Sequence, residues 1–445
     1  MGCSHASSSV ETDDTDETES GEDAGMSGDG GCLGAVTLIE SSVSEAIPTV
    51  GIVRWSTSLP NVEKASISFG QDMNYAFEAP VDLDAADNRT LLLGMKSMET
   101  YHFRVKVQND EMHCVGGDRT IETGGLSTDL SRVDVAATSP SLAYGGFTVT
   151  SDYAKSKGII LDADGEYVWW FDAPFAGVNR ARMSADGKHM LIGNVNVRNN
   201  GEGAIFKVSM DGLDTDIISL PDRHHDFTVL PDGDIAIIEY DRDGAGTCDR
   251  IVEITEDGAR ETIYAIRNDF EYLATNSEWC HANALSYDPR ENVYYLSVLA
   301  FDAILKIDRS SGALVWVLGG EVSSFEGTFW DRQHGHHALS NGNMLLFNNH
   351  GDPEDFTAAS KVLEYALDGD TARLVWQYDG DATSTTFGDV QRLGNGNTLV
   401  TYSNAGLIHE VDTDTGTPVI IISFGASIGY ADRRDTLYGL PQRYR

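Results

Sequence analysis

From about residue 140 to the end one phrase recurs: a short apolar strand, a turn holding Asp and Gly, then a second strand. The copies are GIILDADGEYVWWF, AIFKVSMDGLDTDIISL, RIVEITEDGARETIYAI, AILKIDRSSGALVWVLGG, KVLEYALDGDTARLVWQY and GLIHEVDTDTGTPVIII. Their turn glycines, Gly165, Gly212, Gly258, Gly312, Gly369 and Gly416, lie 47, 46, 54, 57 and 47 residues apart. Self-similarity at such a period marks one supersecondary unit repeated, each copy too small to bury its own apolar face, so neighbours must stack. All-β units of this length favour a propeller of four-stranded blades over a helical solenoid. The expected fold class is all-β: a six-bladed β-propeller over 127–445, preceded by a small β-sandwich and a disordered acidic N-terminal tether.

A second phrase lies between the hairpins: HDFTVLPDGDIAII, HGHHALSNGNMLLF, GDVQRLGNGNTLVTY and, more loosely, NRARMSADGKHMLIG. Its glycines are Gly233, Gly342, Gly396 and Gly187; one copy, HANALSYDPRENVYYLS, has a longer turn. In a propeller this phrase supplies the two inner strands of each blade, starting near one mouth of the central channel. Eight residues before each glycine stand His225, His334, Gly388 and Asn179, with His281 at a comparable place in the long-turn copy. Three blades thus put an imidazole at one structural address. A ring of imidazoles can supply a nucleophile, proton transfer and hydrogen bonds to an anion. His224 and Asp226 flank His225, Asn283 follows His281, and Arg332, Gln333, His336 and His337 surround His334. On a regular strand His334 and His336 share a face and His337 points away. Two other readings stay open: blade-to-blade hydrogen bonding without chemistry, and a three-histidine zinc site.

Ahead of the repeats, residues 33–126 carry AVTLIES, TVGIVRWST, KASISFG, RTLLLGM and TYHFRVKVQ, strand-like runs separated by turn residues. With Trp55 early and Tyr101 late, they resemble a fibronectin-III-like sandwich, a spacer or support with no chemistry of its own. Residues 1–31 hold nine acidic residues and no Lys or Arg, too little apolar surface to offset chain entropy, so 1–32 is expected to be a disordered tether. Asp and Glu total 70 against 31 Lys and Arg, a formal charge of −39. That balance excludes a nucleic-acid binder, which needs clustered basic residues, and a basic face for anionic lipid. No apolar run reaches the roughly 18 residues of a membrane span.

The five cysteines are Cys3, Cys32, Cys114, Cys248 and Cys280. Cys3, followed by Ser, Thr, Asp and Glu, resembles the mature end of a bacterial lipoprotein, which would make it a lipidation site and the only membrane contact. Of the three pairings open to the other four, Cys32–Cys114 and Cys248–Cys280 are preferred because each stays within one expected domain. No CxxC spacing suggests structural zinc.

The strings HHDFTVLPDGDIAII, WCHANALSYDP, ILKIDRSSGALVWVLGG, RQHGHHALSNGNMLLFNNHGD and VQRLGNGNTLVTYSNAGLIHEVD resemble the bacterial arylsulfate sulfotransferase family over about residues 140–445. The resemblance implies an exported protein, in the periplasm or at the cell surface. It also implies sulfuryl transfer from an aryl sulfate to a phenol with no cofactor. On it, His334 matches the histidine that becomes sulfated, His225 the HHD histidine, and His281 with Asn283 the HxN pair. Catalytic roles are therefore expected for His334, His225 and His281. Substrate-binding roles are expected for Asn283, His224, His336 and Arg332, and no metal is called for. One departure stands out: the family's Arg after HxN falls near Ala300, and no Arg lies between Arg290 and Arg309. Arg180, Arg182, Arg332 and Arg433 are candidates to compensate. A lipid-tethered, non-catalytic binding propeller and a metal-dependent propeller hydrolase or lyase remain as alternatives.

Overall fold

The computed structural model describes residue 32 and residues 34–196, 202–272, 279–349 and 358–439. Residues 1–31, and with them Cys3, lie outside the described residues. Those described form strands and a few short 3-10 turns, with no α-helix among them.

The hairpin phrases fold as antiparallel strand pairs, for example Ala204–Ser209 with Thr215–Ser219 and Ala303–Asp308 with Leu314–Gly319. Their six turn glycines all have positive φ, from 61° to 86°, the backbone region that a Cβ makes costly. Each of the last five hairpins extends the two strands that precede it into a meander. The second sheet runs Val178–Met183, His189–Asn194, Ala204–Ser209, Thr215–Ser219. The third, fourth, fifth and sixth repeat this order, beginning with Arg223–Val229, Ala282–Asp288, Gln333–Ala338 and Asp389–Arg392. Val133–Ala137 adds a fifth strand to the sixth sheet. The first sheet draws on both ends of the repeat region: Phe147–Asp152 pairs with Asp432–Arg434 as well as with Lys157–Leu161.

The first strands of successive sheets pack side by side, which makes the arrangement propeller-like. Apolar side chains fill the spaces between neighbouring sheets. Ile238, Ile251, Leu285, Leu296 and Leu305, for example, form one continuous core between the third and fourth. Such burial is the main favourable term in the fold.

Ahead of the repeats, a three-stranded sheet (Val36–Val43, Gly51–Thr57, Thr90–Leu92) and a sheet built on Lys64–Gly70 and Thr100–Gln108 share one core around Trp55, Phe69 and Phe103. The Tyr101 hydroxyl accepts a hydrogen bond from Lys96 N at 2.9 Å. Cys32 is bonded to Cys114, with Cα atoms 5.2 Å apart. This unit is packed onto the first two repeat sheets. Ile47, Val50 and Leu93 enter the core around Trp169 and Phe206, Arg89 pairs with Asp211, and Lys96 meets Asp162, Asp164 and Glu166.

Candidate functional site

The inner strands share an irregularity. Pairing slips between Val178 and Arg180, between Arg223 and Phe227, between Ala282 and Ala284, and between Gln333 and His336. A β-bulge re-aims side chains and ends strict alternation. The residues within these slips are Asn179, His224 to Asp226, Asn283, and His334 with Gly335. Asn179, His225 and His334 stand where the repeat spacing puts them, but in the fourth sheet the slip holds Asn283, and His281, expected at this address, lies two residues before it, ahead of the strand. His225 and His281 have φ of 51° and 56°, which turns each ring out of the strand's normal alternation.

His225, His281 and His334 come together at this end of the inner strands. The His225 and His281 rings lie 4.8 Å apart, nearly edge to face. Burial holds the His225 ring well below the usual imidazole range, and the facing His224, His281 and His334 and the nearby Arg223 push the same way. His281 is lowered too, by burial first, with Asp249 opposing and His224 and Arg332 assisting. His224 and His225 share a hydrogen bond between their Nδ1 atoms at 2.7 Å, and His224 Nε2 meets Asp249 Oδ1 at 3.0 Å. Asp249 Oδ2 accepts from Ala282 N at 2.6 Å. Tyr240 stacks on His224 with centroids 3.9 Å apart. Cys248 is bonded to Cys280, Cα atoms 5.0 Å apart, so Asp249 and His281 each sit one residue beyond a bridged cysteine.

His334 is held by an amide. Its Nδ1 lies 2.6 Å from Asn349 Oδ1, while Asn349 Nδ2 donates to the carbonyls of Ser384 and Phe387 at 2.6 Å each. Those two carbonyls fix which end of the amide faces the imidazole. The Nδ1 of neutral His334 therefore carries the proton and Nε2 the lone pair. Phe387 stands edge-on to His334 at 6.4 Å and also meets Tyr153 and Tyr430, giving the site an aromatic side.

Directly along the strands from the histidines lies a buried charged layer. Arg180 donates from Nε and Nη2 to the two Asp226 oxygens at 2.8 Å each and from Nη1 to Asp389 Oδ2 at 2.9 Å. Asp226 also accepts from Leu285 N and Phe227 N, so one carboxylate ties three sheets. Burial works against its charge, but Arg180 and Arg182 hold it at about 2. Tyr430 lies against the Arg180 guanidinium at 3.9 Å and donates to Asn283 O at 2.9 Å. Asp226 is therefore a structural strap, whatever the chemistry beside it.

The other expected residues fall in different places. Asn283 Nδ2 donates to Gln333 O and Asn179 Nδ2 to His225 O, each a link to the next sheet. The expectation that His334 and His336 share a face assumed a regular strand, and the bulge removes that premise. His336 Nε2 meets Ser286 Oγ at 2.9 Å and borders a cavity of about 470 Å³ with His337, Arg290, Arg392 and Tyr295. That cavity opens at the far ends of the inner strands, beyond the charged layer. Burial lowers His336 to about 4.

At the absent family Arg, Ala300 is exposed and its N donates to Cys280 O at 3.1 Å, beside His281. Arg180 and Arg433 are buried in ion pairs, and Arg182 donates to Phe227 O. Arg332 differs: it is exposed, its N donates to Asp302 Oδ1 at 2.7 Å, and its charge reaches His281. Among the described residues no group of three or more His, Cys, Asp and Glu is arranged to hold a metal ion. Nor is any helix there long and apolar enough to cross a membrane.

Sequence reasoning missed Asp249 and Asn349. Asp249 lies just ahead of the hairpin phrase RIVEITEDGARETIYAI, outside every quoted repeat, and its one signal was adjacency to Cys248. Asn349 stood within the quoted string NNHGD, with nothing to single it out.

The imidazole cluster thus lies at one end of a propeller-like stack. The arylsulfotransferase (ASST) family profile matches residues 132–430, more than half of the chain, and the chain belongs to that family. No curated protein matches. Among solved structures, a Bacteroides caccae protein of unknown function is 14% identical, with 64% of this chain and 98% of that one covered and a TM-score of 0.44. A streptogramin B lyase is 15% identical, with coverages of 68% and 98% and a TM-score of 0.40. The Cps50 (Swd1) β-propeller domain of Myceliophteria thermophila is 8% identical, with coverages of 68% and 91% and a TM-score of 0.39.

Proposed function

We propose that this arylsulfotransferase moves a sulfuryl group from an aryl sulfate to a phenolic acceptor through a sulfo-histidine at His334. The observation that carries the reading is the Asn349 clamp, which leaves the lone pair of neutral His334 on Nε2. In the first half-reaction that lone pair forms the N–S bond as the S–O(aryl) bond breaks and the phenolate departs. In the second, the acceptor phenol loses its proton to a neighbouring imidazole, its oxygen bonds sulfur, and the N–S bond breaks. His225 and His281 are the proton-transfer partners, and burial keeps both neutral near pH 7, ready to accept. Arg332 takes over from the missing family Arg in meeting sulfuryl oxygens. It is the exposed one of the four candidate arginines named above for that role. Asn283 and His224 bind or orient at the same end, with Phe387 and Tyr153 against the aryl ring. His336, beyond the charged layer, contributes indirectly. Double displacement of this kind is ping-pong.

The scaffold for this chemistry is a six-bladed propeller over 127–445 with a fibronectin-III-like sandwich over 33–126. Support comes from the six meander sheets, from the Gln391 and Arg433 hydrogen bonds that join the sixth sheet to the first, and from the Tyr101 hydroxyl bond. Two disulfides fit an exported protein, in the periplasm or at the cell surface, with Cys3 as its lipid anchor.

The test is transfer from an aryl sulfate to a phenol by wild type and His334→Ala. Loss of at least about a thousandfold in the variant is expected, since no second nucleophile replaces it. Equal transfer by both proteins overturns the assignment.

A further inference from the structure

The Asp249–His224–His225 chain is a directional arrangement. Both Asp249 oxygens accept hydrogen bonds, one from a backbone N–H and one at His224 Nε2, as an ionised carboxylate does. His224 Nε2 therefore carries a proton. In neutral His224 the Nδ1 is then the acceptor, so the proton in the 2.7 Å contact belongs to His225 Nδ1. The lone pair of His225 is left on Nε2, which makes no hydrogen bond among the described residues.

We propose that Asp249 and His224 are positioning residues that set the tautomer of His225 and carry away the charge it acquires, making His225 Nε2 the base that deprotonates the phenolic acceptor. This rests on the sulfuryl-transfer reading above. The step balances. The acceptor O–H breaks and an N–H forms at His225 Nε2. The proton on His225 Nδ1 passes to His224 Nδ1, and the positive charge ends on His224 beside the Asp249 carboxylate. Two imidazoles have the same intrinsic basicity, so the carboxylate decides where the charge rests. The other groups facing His225 are His281, His334 and Arg223, all of which disfavour charge there. His224 faces Tyr240, whose ring stacks on it and keeps both nitrogens in line with their partners. The disulfide beside Asp249 and His281 holds the third and fourth sheets in register at this point.

Asn at position 249 would keep the shape but offer an amide N–H to His224 Nε2, reversing the chain and placing a proton on His225 Nε2. Asp249→Asn is therefore expected to form the sulfo-enzyme from 4-nitrophenyl sulfate within a few-fold of the wild-type rate, because that phenolate leaves without a proton. Its transfer to phenol should slow by about 10²–10⁴-fold, with the pH profile of that step displaced. His224→Phe, which retains the stack on Tyr240, should give a similar loss, and the double variant no more than either alone. Ring ¹⁵N shifts at pH 7.5 give a readout that needs no turnover: an unprotonated Nε2 on His225 in wild type, a protonated one in Asp249→Asn. Wild-type His225 protonated at Nε2, or both half-reactions slowed alike in the variants, overturns the proposal. Absence of any wild-type adduct together with the expected ring shifts defeats the sulfuryl reading and leaves the tautomer assignment standing.

Discussion

The third and fifth sheets differ from the second, fourth and sixth at one address. His225 and His334 occupy it in the former, Asn179, Asn283 and Gly388 in the latter, while His281 joins the cluster from just ahead of its strand. Asn179 is buried, its Nδ2 donates to His225 O and its backbone carbonyl accepts from Tyr430 N, so it links neighbouring strands, while its Oδ1 meets no partner among the described residues. Gly388 has a φ of 102°, and a Cβ there would come within 2.3 Å of the Phe347 ring, so packing excludes any side chain. One half of the stack uses the address to close the structure, on a bulge at Asn179 and Asn283 and without one at Gly388; the other uses a bulge to aim imidazoles. The same backbone device gives support or chemistry according to the side chain it carries.

If the Asn and Gly half is structural, the strap joining it to the histidine half should bear the largest stability cost. Asp226→Ala leaves the Arg180 guanidinium buried with Asp389 alone. The expected loss is about 3–5 kcal/mol, measured by chemical denaturation. A loss under about 1 kcal/mol would mean that the two halves do not depend on this layer.

A smaller effect separates them by pH. His225, His281 and His336 are all lowered by burial. Above pH 6.5 both folded and unfolded states are neutral at these rings and stability is full. Below it the unfolded chain binds protons that the folded rings refuse, so stability falls as pH drops toward each folded value. For His336, lowered to about 4, the loss between pH 7.5 and 5 is about 2 kcal/mol. His336→Gln should reduce the slope by that amount. An unchanged slope would show that His336 is not the buried neutral ring described.

Much of this was legible in the sequence, and the illegible part has a physical reason. The hairpins announced themselves through turn glycines, because a positive φ selects Gly strongly and at a fixed spacing. The address of His225 and His334 followed from counting back from the glycines of the second phrase; the long-turn copy has no such glycine, and there the address falls on Asn283 rather than His281. Orientation did not follow: the bulge between Gln333 and His336 breaks the period-two rule, and nothing in QHGHHA marks it. Partners from distant segments were also invisible. Arg180, Asp226 and Asp389 meet across three sheets, and Asp249 reaches His224 from a strand that the repeat pattern assigned to scaffold. A repeat fixes where a residue sits within its unit, whereas a hydrogen bond between units depends on how the units stack.

The central claim is that His334 carries the sulfuryl group. The most direct measurement is peptide mass spectrometry after brief incubation with an aryl sulfate and no acceptor. The peptide bearing QHGHHA should gain about 80 Da on His334, be discharged by added phenol, and be absent from His334→Ala. An adduct on another residue, or phenol transfer with no adduct at any time, would contradict it.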